Sequence, residues 1–217
     1  MPSSRKTVAD WVAAEKDFEV NSYDGRLSSP IEVIRDSTRP WLVLTAPHAV
    51  NHWRKGVLKV ADRGTGGLVR ILSYELGCAG VINAKQVYSD PAYDYEHAFK
   101  DALEQFEAGA VLIDFHGMMD QRDLDVEIGL GLFPTVDSQK LATYLGSKLE
   151  EADLRVAHNE RYVSPNPGSI TNWALARDLP AIQVEMAARV RPPLGSEVAC
   201  AIVLATLQDA LAVGSAG

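Results

Sequence analysis

The sequence predicts an α/β protein, in which helices cover a central sheet. From residue 41 onward, short apolar runs typical of buried strands alternate with longer segments that have the apolar spacing of helices. Gly77 and Gly109 follow two of the helical segments, where glycine often ends a helix. The 217 residues contain no repeat and no low-complexity linker, so we expect a single domain over 1–217.

Each element is predicted from its own local pattern. The first helix (6–18) places Val8, Trp11, Val12 and Ala14 on its inner side, and the segment from there to residue 40 is predicted to be irregular or a hairpin. The predicted strands are 41–46, 80–85, 110–115, 126–133, 154–158 and 180–186. The remaining predicted helices are 62–77, 93–107, 137–152 (with Asp137 or Ser138 as N-cap), 169–177 (after a loop at 164–169 rich in Pro and Asn) and 195–212.

The composition argues against several classes of protein. A net charge of −8 without any cluster of Lys and Arg is unlike a nucleic-acid-binding surface. Cys78 and Cys200 both fall in apolar stretches, which predicts core residues and a reducing, cytoplasmic location. No apolar run approaches the roughly 18 residues of a membrane span, and the N-terminus lacks the pattern of a signal peptide. We therefore expect no nucleic-acid partner and no membrane association.

Two of the apolar runs end in a histidine. His48 follows the strand at 41–46, and His116 ends the run VLIDFH (111–116). Because ligands bind at the carboxyl ends of strands in open α/β sheets, both histidines are predicted to reach one site. Asp62, at the start of a predicted helix, has two interpretations: a third metal ligand or a helix N-cap. Two histidines, one carboxylate and a position for water form the ligand set of a catalytic zinc ion.

Two further polar residues lie near these histidines. Asp114 is two residues before His116 on the same strand, so both side chains lie on one face. Asp114 could orient His116 from behind or be the third ligand itself. His52 forms an H-x-x-x-H pair with His48, but the intervening sequence has no helical pattern, which favours a structural or substrate-loop role.

Glu185 is the candidate catalytic residue. In the strand at 180–186, alternation places Ile182, Val184 and Met186 on one face and Gln183 and Glu185 on the other. A carboxylate at the end of a buried strand is costly without a role, and a glutamate here could take a proton from water and return it to a leaving amine. The alternative is a salt bridge to Arg189 or Arg191.

Taken in order, these segments resemble the N-formylglutamate amidohydrolase family. The similarity covers about residues 41–190, through TAPH (45–48), ADRGTGG (61–67), DFHG (114–117), NERY (159–162) and the late strand ending in Glu185. It implies a three-layer phosphorylase/hydrolase-like fold, with a mixed central sheet flanked by helices and related to zinc carboxypeptidases. It also implies one Zn²⁺ per chain and hydrolysis of an amide bond in an N-acyl amino acid or a small peptide-like substrate.

The chain departs from this pattern at two places. Related deacylases use H-x-x-E, whereas residue 51 is Asn, so the carboxylate ligand must be sought at Asp62. The segment 89–94 has no arginine where relatives often bind the substrate carboxylate. The arginines that could bind a carboxylate are, in order of preference, Arg161, Arg122, Arg63 and Arg189, because a guanidinium binds carboxylates through two hydrogen bonds.

Two other functions remain open from the sequence. The chain could be a module that binds a small acidic ligand without turning it over, or a zinc carboxypeptidase acting on a peptide tail. Nothing in the sequence predicts the oligomeric state.

Overall fold

A computed structural model describes residues 5–35, 38–106, 109–120 and 123–213. The strands are β1 (Ile31–Ile34), β2 (Arg39–Ala46), β3 (His52–Arg54), β4 (Val57–Lys59), β5 (Cys78–Asn83), β6 (Val111–Met118), β7 (Val126–Gly129), β8 (Val156–His158) and β9 (Ala181–Ala187). The helices are α1 (Val8–Tyr23), α2 (Thr65–Leu76), α3 (Ala98–Leu103), α4 (Val136–Glu151), α5 (Ile170–Leu175) and α6 (Glu197–Ala212), with a 3-10 turn (Ala188–Val190) after β9. Regular helical geometry in α1 ends before Val20.

Seven strands form one mixed sheet in the order β1-β5-β2-β6-β9-β7-β8. The four central strands β5, β2, β6 and β9 run parallel, so their carboxyl ends lie at one edge. β1 pairs with β5 and β7 pairs with β9 in the antiparallel sense. The strands β3 and β4 form a separate hairpin between β2 and α2.

Helices cover both faces of the sheet. One core joins one face to α1, α2, α4 and α6, and the other joins the opposite face to α3 and α5. Phe115 of β6 belongs to the first core, while Leu112, three residues earlier on the same strand, belongs to the second, as the alternation of side chains along a strand requires. This confirms the predicted α/β class and the three-layer arrangement with a mixed sheet. The single domain stays a prediction.

The sequence-based boundaries were wrong in several places. The helix expected at 93–107 is reduced to α3, because residues 90–94 form hydrogen-bonded turns around the buried carboxylate of Asp90. The strand expected at 126–133 ends at Gly129, where the carbonyl of Tyr162 comes too close for a Cβ. The N-cap of α4 is Thr135, whose hydroxyl accepts the N–H of Ser138, and not Asp137 or Ser138. Strand β1 lies in the segment expected to be irregular or a hairpin, and the hairpin β3–β4 was not predicted.

Two expectations from composition can be compared with the structure. Cys78 and Cys200 are both buried, as predicted. Among the described residues, no helix has the length and hydrophobicity needed to cross a bilayer. Cytoplasmic location stays a prediction.

Candidate active site

A cavity of about 380 Å³ opens near the carboxyl ends of β2, β6 and β9. Its lining contains two groups of residues. The histidine group consists of His48, Asp62, His116 and Glu185, and the arginine group consists of Arg54, Lys59, Arg161 and Tyr162. Neutral polar side chains, among them Gln183, Ser164 and Asn166, line part of the remaining wall.

The histidine group contains three donor atoms arranged as metal ligands would be. His116 Nδ1 lies 3.1 Å from His48 Nδ1 and 3.2 Å from Asp62 Oδ2, and the third distance, His48 Nδ1 to Asp62 Oδ2, is 3.4 Å. A tetrahedral zinc site with bonds near 2.0–2.1 Å places neighbouring donor atoms about 3.3 Å apart. The three side chains therefore fit a metal ion with three protein ligands, and they form one of two groups among the described residues that could hold a metal ion.

The backbone brings these three residues together. β2 and β6 are adjacent, so the histidines that follow or end them reach the same edge. The N–H of Asp62 donates to the carbonyl of His48 at 2.8 Å, which closes the excursion containing the hairpin β3–β4. Asn51 stabilises this closure, because its Oδ1 accepts the N–H of Ala61. Asn51, which stands where related deacylases have glutamate, thus helps to hold the backbone next to Asp62.

Each histidine is held from behind by a buried carboxylate. His48 Nε2 lies 2.8 Å from Asp90 Oδ1, and His116 Nε2 lies 2.9 Å from Asp114 Oδ2. Thr45 donates its hydroxyl to the other oxygen of Asp114 at 2.6 Å. Carboxylates in this position fix the orientation and tautomer of a metal-binding histidine. Asp114 therefore has the geometry of an orienting residue, whereas Asp90 was missed by the sequence analysis.

The electrostatics of the site reflect these contacts. Burial alone would lower the pKa of His48, but hydrogen bonds to Asp62 and Asp90 outweigh it, so the pKa is raised. For His116, burial is likewise outweighed, chiefly by Asp114 and Asp62, and the pKa is well above the usual value. Burial would raise the pKa of Asp62, but both histidines hold it below the usual range. The carboxylate of Asp62 is therefore anionic, as a ligand for a cation must be.

Glu185 lies beside the three donor residues. It is the register partner of His116 in the parallel pair β6–β9, and its side chain lines the cavity although it is only 6% exposed. Gln183 Nε2 donates to Glu185 Oε1 at 2.6 Å, which orients the carboxylate. Burial raises the pKa of Glu185 to about 7. A carboxylate with a pKa near neutrality suits a group that must both accept and donate a proton.

The arginines considered as salt-bridge partners of Glu185 are engaged elsewhere. Arg189 Nε donates to Asp125 Oδ1 at 2.8 Å. Arg191 is buried and donates to the carbonyls of Arg63, Met118 (3.2 Å) and Met186 (3.1 Å). These carbonyls lie within two residues of Asp62, His116 and Glu185. A single guanidinium thus ties together the backbone segments that carry Asp62, His116 and Glu185, three of the four residues of the histidine group.

The interpretation of Asp62 as a helix cap was wrong. The N-cap of α2 is Gly64, at φ +92°, and it has no side chain to cap the helix. Glu15 of α1 takes this role, because its two oxygens accept the N–H groups of Gly64 (2.6 Å) and Gly67 (2.7 Å). Trp11 Nε1 also donates to the carbonyl of Gly64, at 2.6 Å. The carboxylate of Asp62 is left to face the histidines.

The second group that could hold a metal ion consists of His48, His52 and Asp90. His52 stacks on His48 with ring centroids 3.9 Å apart, and burial lowers the pKa of His52 to about 3. Asp90 Oδ2 already accepts the Nε of Arg54 at 2.6 Å. A cation here would compete with a guanidinium and would require His48 Nε2, which Asp90 holds. The first group is therefore better suited to a metal ion, and His52 supports His48 by stacking.

The structure divides the predicted substrate arginines. Arg161 lines the cavity. Arg63 lies over the ring of Tyr23, with 5.3 Å from its guanidinium carbon to the ring centroid, and Arg189 pairs with Asp125. Arg122 lies outside the described residues. Arg54 and Lys59, on the unpredicted hairpin, line the cavity and were missed.

Comparison with known proteins supports the fold. No family model and no curated protein sequence matches the chain. Among solved structures, an N-formylglutamate amidohydrolase from Ralstonia eutropha JMP134 matches with a TM-score of 0.57 at 15% identity, covering 83% of this chain and 97% of that one. A zinc-free apo form of YNDL matches at 0.55 and 17% identity, covering 88% and 93%. A bacteriophage poly-gamma-glutamate hydrolase matches at 0.54 and 12% identity, covering 94% and 96%. The resemblance to N-formylglutamate amidohydrolases inferred from the sequence is thus confirmed at the level of the fold.

Proposed function

We propose that the protein is a zinc-dependent amidohydrolase that cleaves the amide bond of an N-acyl amino acid or a small peptide-like substrate. The observation that carries this proposal is the triangle of donor atoms from His48, Asp62 and His116, with Glu185 beside it in the same cavity. Two nitrogen ligands and one carboxylate oxygen suit zinc better than Mg²⁺, which prefers oxygen ligands and retains several waters. Two of the similar structures are an N-formylglutamate amidohydrolase and a poly-gamma-glutamate hydrolase, and a third is a zinc-free apo form, which favours the same chemistry.

The chain's own residues supply proton transfer and substrate binding. When bound, zinc would polarise the amide carbonyl and acidify a water molecule. Glu185 accepts a proton from the attacking water and delivers it to the leaving nitrogen, with Gln183 holding the carboxylate in place. Asp90 and Asp114 keep the histidines oriented.

The arginine group indicates an acidic substrate. Arg54, Lys59 and Arg161 bring three cationic side chains to a cavity in a chain whose net charge is −8. Arg54 is fixed by its contact with Asp90, while Arg161 is exposed and available for a substrate carboxylate. We include acyl amino acids with a side-chain carboxylate, such as N-formylglutamate, and γ-linked glutamate peptides in this substrate class.

The test combines metal analysis with a screen for amine release from acyl-amino-acid and γ-glutamyl libraries. We expect about one zinc per chain and turnover of an acidic substrate. Glu185→Gln keeps the size of the side chain but cannot accept a proton, so kcat should fall by on the order of 10²-fold or more while zinc content stays the same. Loss of zinc in this variant would make Glu185 a ligand. Binding of acidic amides without turnover would favour a non-catalytic module, and release of C-terminal residues from a peptide ladder would favour a carboxypeptidase.

A further inference from the structure

Glu127 of β7 is a completely buried carboxylate with an unusual set of partners. Its Oε1 accepts three consecutive backbone N–H groups, those of Glu160 at 3.0 Å, Arg161 at 2.5 Å and Tyr162 at 2.8 Å. Its Oε2 is buried and has no hydrogen-bond partner among the described residues. Burying a carboxylate is costly unless it is hydrogen-bonded, so the cost of burying Glu127 is offset by this one segment of backbone.

The segment held by Glu127 forms part of the cavity wall. The side chains of Arg161 and Tyr162 line the cavity, and the Arg161 guanidinium lies 5.8 Å from the centre of the Tyr162 ring. Without its backbone contacts this segment would be a surface loop with an exposed arginine at its centre. Glu127 thus accepts the backbone N–H groups of Arg161 and of both its neighbours, and so holds the backbone from which Arg161 projects.

The neighbours of Glu127 on β7 hold the same segment. The N–H of Asn159 donates to the carbonyl of Ile128 at 2.9 Å, and Asn159 Oδ1 accepts the N–H of Leu130. A Cβ on Gly129 would lie 2.1 Å from the carbonyl oxygen of Tyr162, so only glycine allows the two backbones to approach this closely. Residues 159–162 therefore contact the backbone or side chains of four consecutive residues, 127–130.

The other side of β7 faces the catalytic strand. Glu127 and Glu185 are register partners in the antiparallel pair β7–β9, and directly opposed residues project to the same face of a sheet. Glu185 lies on β9, and Glu127, which holds the Arg161 backbone, lies opposite it on β7. The distance between the proposed base and the proposed carboxylate-binding cation therefore depends on this attachment, to which Glu127 contributes three hydrogen bonds.

We propose that Glu127 is a positioning residue that holds the Arg161–Tyr162 segment in place and thereby determines affinity for substrates with a distal carboxylate. This inference rests on the proposed function for its substrate, but the ordering of the segment can be measured without turnover. A role restricted to stabilising the fold would affect all substrates and kcat alike. A positioning role predicts an effect on KM that depends on Arg161.

The first measurement is a double-mutant cycle with Arg161→Ala. Glu127→Leu should raise KM for an acidic acyl amino acid by about tenfold, the size expected for loss of one charge-assisted contact, with kcat within about threefold of wild type. In the Arg161→Ala background, Glu127→Leu should leave KM nearly unchanged, and the matching carboxamide substrate should not distinguish wild type from Glu127→Leu. Additive effects on KM, or an equal loss for both substrates, would overturn the proposal.

The second measurement covers the case in which Glu127→Leu does not fold. Glu127→Gln retains a carbonyl acceptor but loses the charge, so amide hydrogen exchange at residues 160–162 should accelerate by about tenfold while KM rises less than threefold. Asp125→Asn is the matched control, because Asp125 is also a buried carboxylate on this part of the chain that accepts a backbone N–H, that of Arg155 at 2.8 Å, and it does not line the cavity. Unchanged exchange in Glu127→Gln, or equal acceleration at 160–162 in Asp125→Asn, would refute the positioning role.

The two proposals can fail separately. If no amide is hydrolysed, binding of N-acetylglutamate to the metal-loaded protein, measured by calorimetry, replaces KM in the same cycle. Weaker binding in Glu127→Leu that disappears in the Arg161→Ala background would support the positioning role in a protein that binds without catalysis. Equal binding in all variants would refute it.

Discussion

The histidine group and the arginine group line the same cavity, but they are built in different ways. His116 and Glu185 lie on central strands, His48 follows β2, and the N–H of Asp62 donates to the carbonyl of His48. The arginine group comes from a hairpin and a loop, and Lys59 and Arg161 are exposed. His48, His116 and Glu185 are buried, whereas the arginine group is more exposed, with Asp90 holding the Arg54 side chain and Glu127 the Arg161 backbone. We therefore expect severe losses from substitutions in the histidine group and graded losses in the arginine group.

The largest expected effect is that of His116→Ala. This change removes one of three donor atoms, and Asp62 and Asp114 each lose the contact with a ring nitrogen of His116. Zinc measured by elemental analysis should fall to background, and activity with it. His158→Ala is the control, because His158 is exposed at the end of β8 and should leave zinc content unchanged. Full zinc occupancy in well-folded His116→Ala would exclude His116 as a ligand.

A smaller loss should separate Asp62 from Asp114. Asp62→Asn removes the anionic donor atom, so zinc affinity measured by chelator competition should fall by more than about 100-fold, with partial recovery of activity on adding zinc. Asp114→Asn changes only the group behind His116, for which about 10- to 100-fold is typical. The reverse order of the two losses would move the third ligand from Asp62 to Asp114.

The smallest effect is expected from Arg161→Ala. Loss of one exposed guanidinium should raise KM for an acidic substrate by about tenfold and leave zinc binding intact. Arg63→Ala serves as control, since the Arg63 side chain packs over Tyr23 and does not line the cavity. An equal rise in KM for both variants would mean that the loss reflects overall charge and not a contact in the cavity. A loss of zinc in Arg161→Ala would contradict the assignment of metal binding to the histidine group and substrate binding to the arginine group.

The sequence was informative about the histidine group because strands have a simple pattern. Apolar runs mark buried strands, and polar residues at their ends mark the sheet edge, which is how His48, His116 and Glu185 were predicted as site residues. Asp62 lies outside any strand and was found only as the next suitable carboxylate. Its position depends on the hydrogen bond from its N–H to His48, which no local pattern reveals.

The residues that were missed act across long separations in the chain. Asp90 precedes a proline in a segment with the composition of a turn, and its contact with His48 spans 42 residues. Glu15 lies on a helix whose inner face was predicted from apolar residues alone, and its partners belong to α2. Arg54 and Lys59 lie on a hairpin too short to give a strand pattern. Predicting these residues from the sequence would have required knowing which segments of the chain lie next to each other in the fold.

The contacts between α1 and the backbone that follows Asp62 couple the docking of this helix to metal binding. Trp11 and Glu15 attach this helix to Gly64, two residues after a proposed ligand. An ion that binds only when Asp62 is in place must favour the docked helix, and by linkage the docked helix must favour the ion by the same free energy. Chelation should therefore increase hydrogen exchange in residues 8–19, far along the chain from either histidine. The N-terminal helix would then report on metal occupancy without contacting the metal.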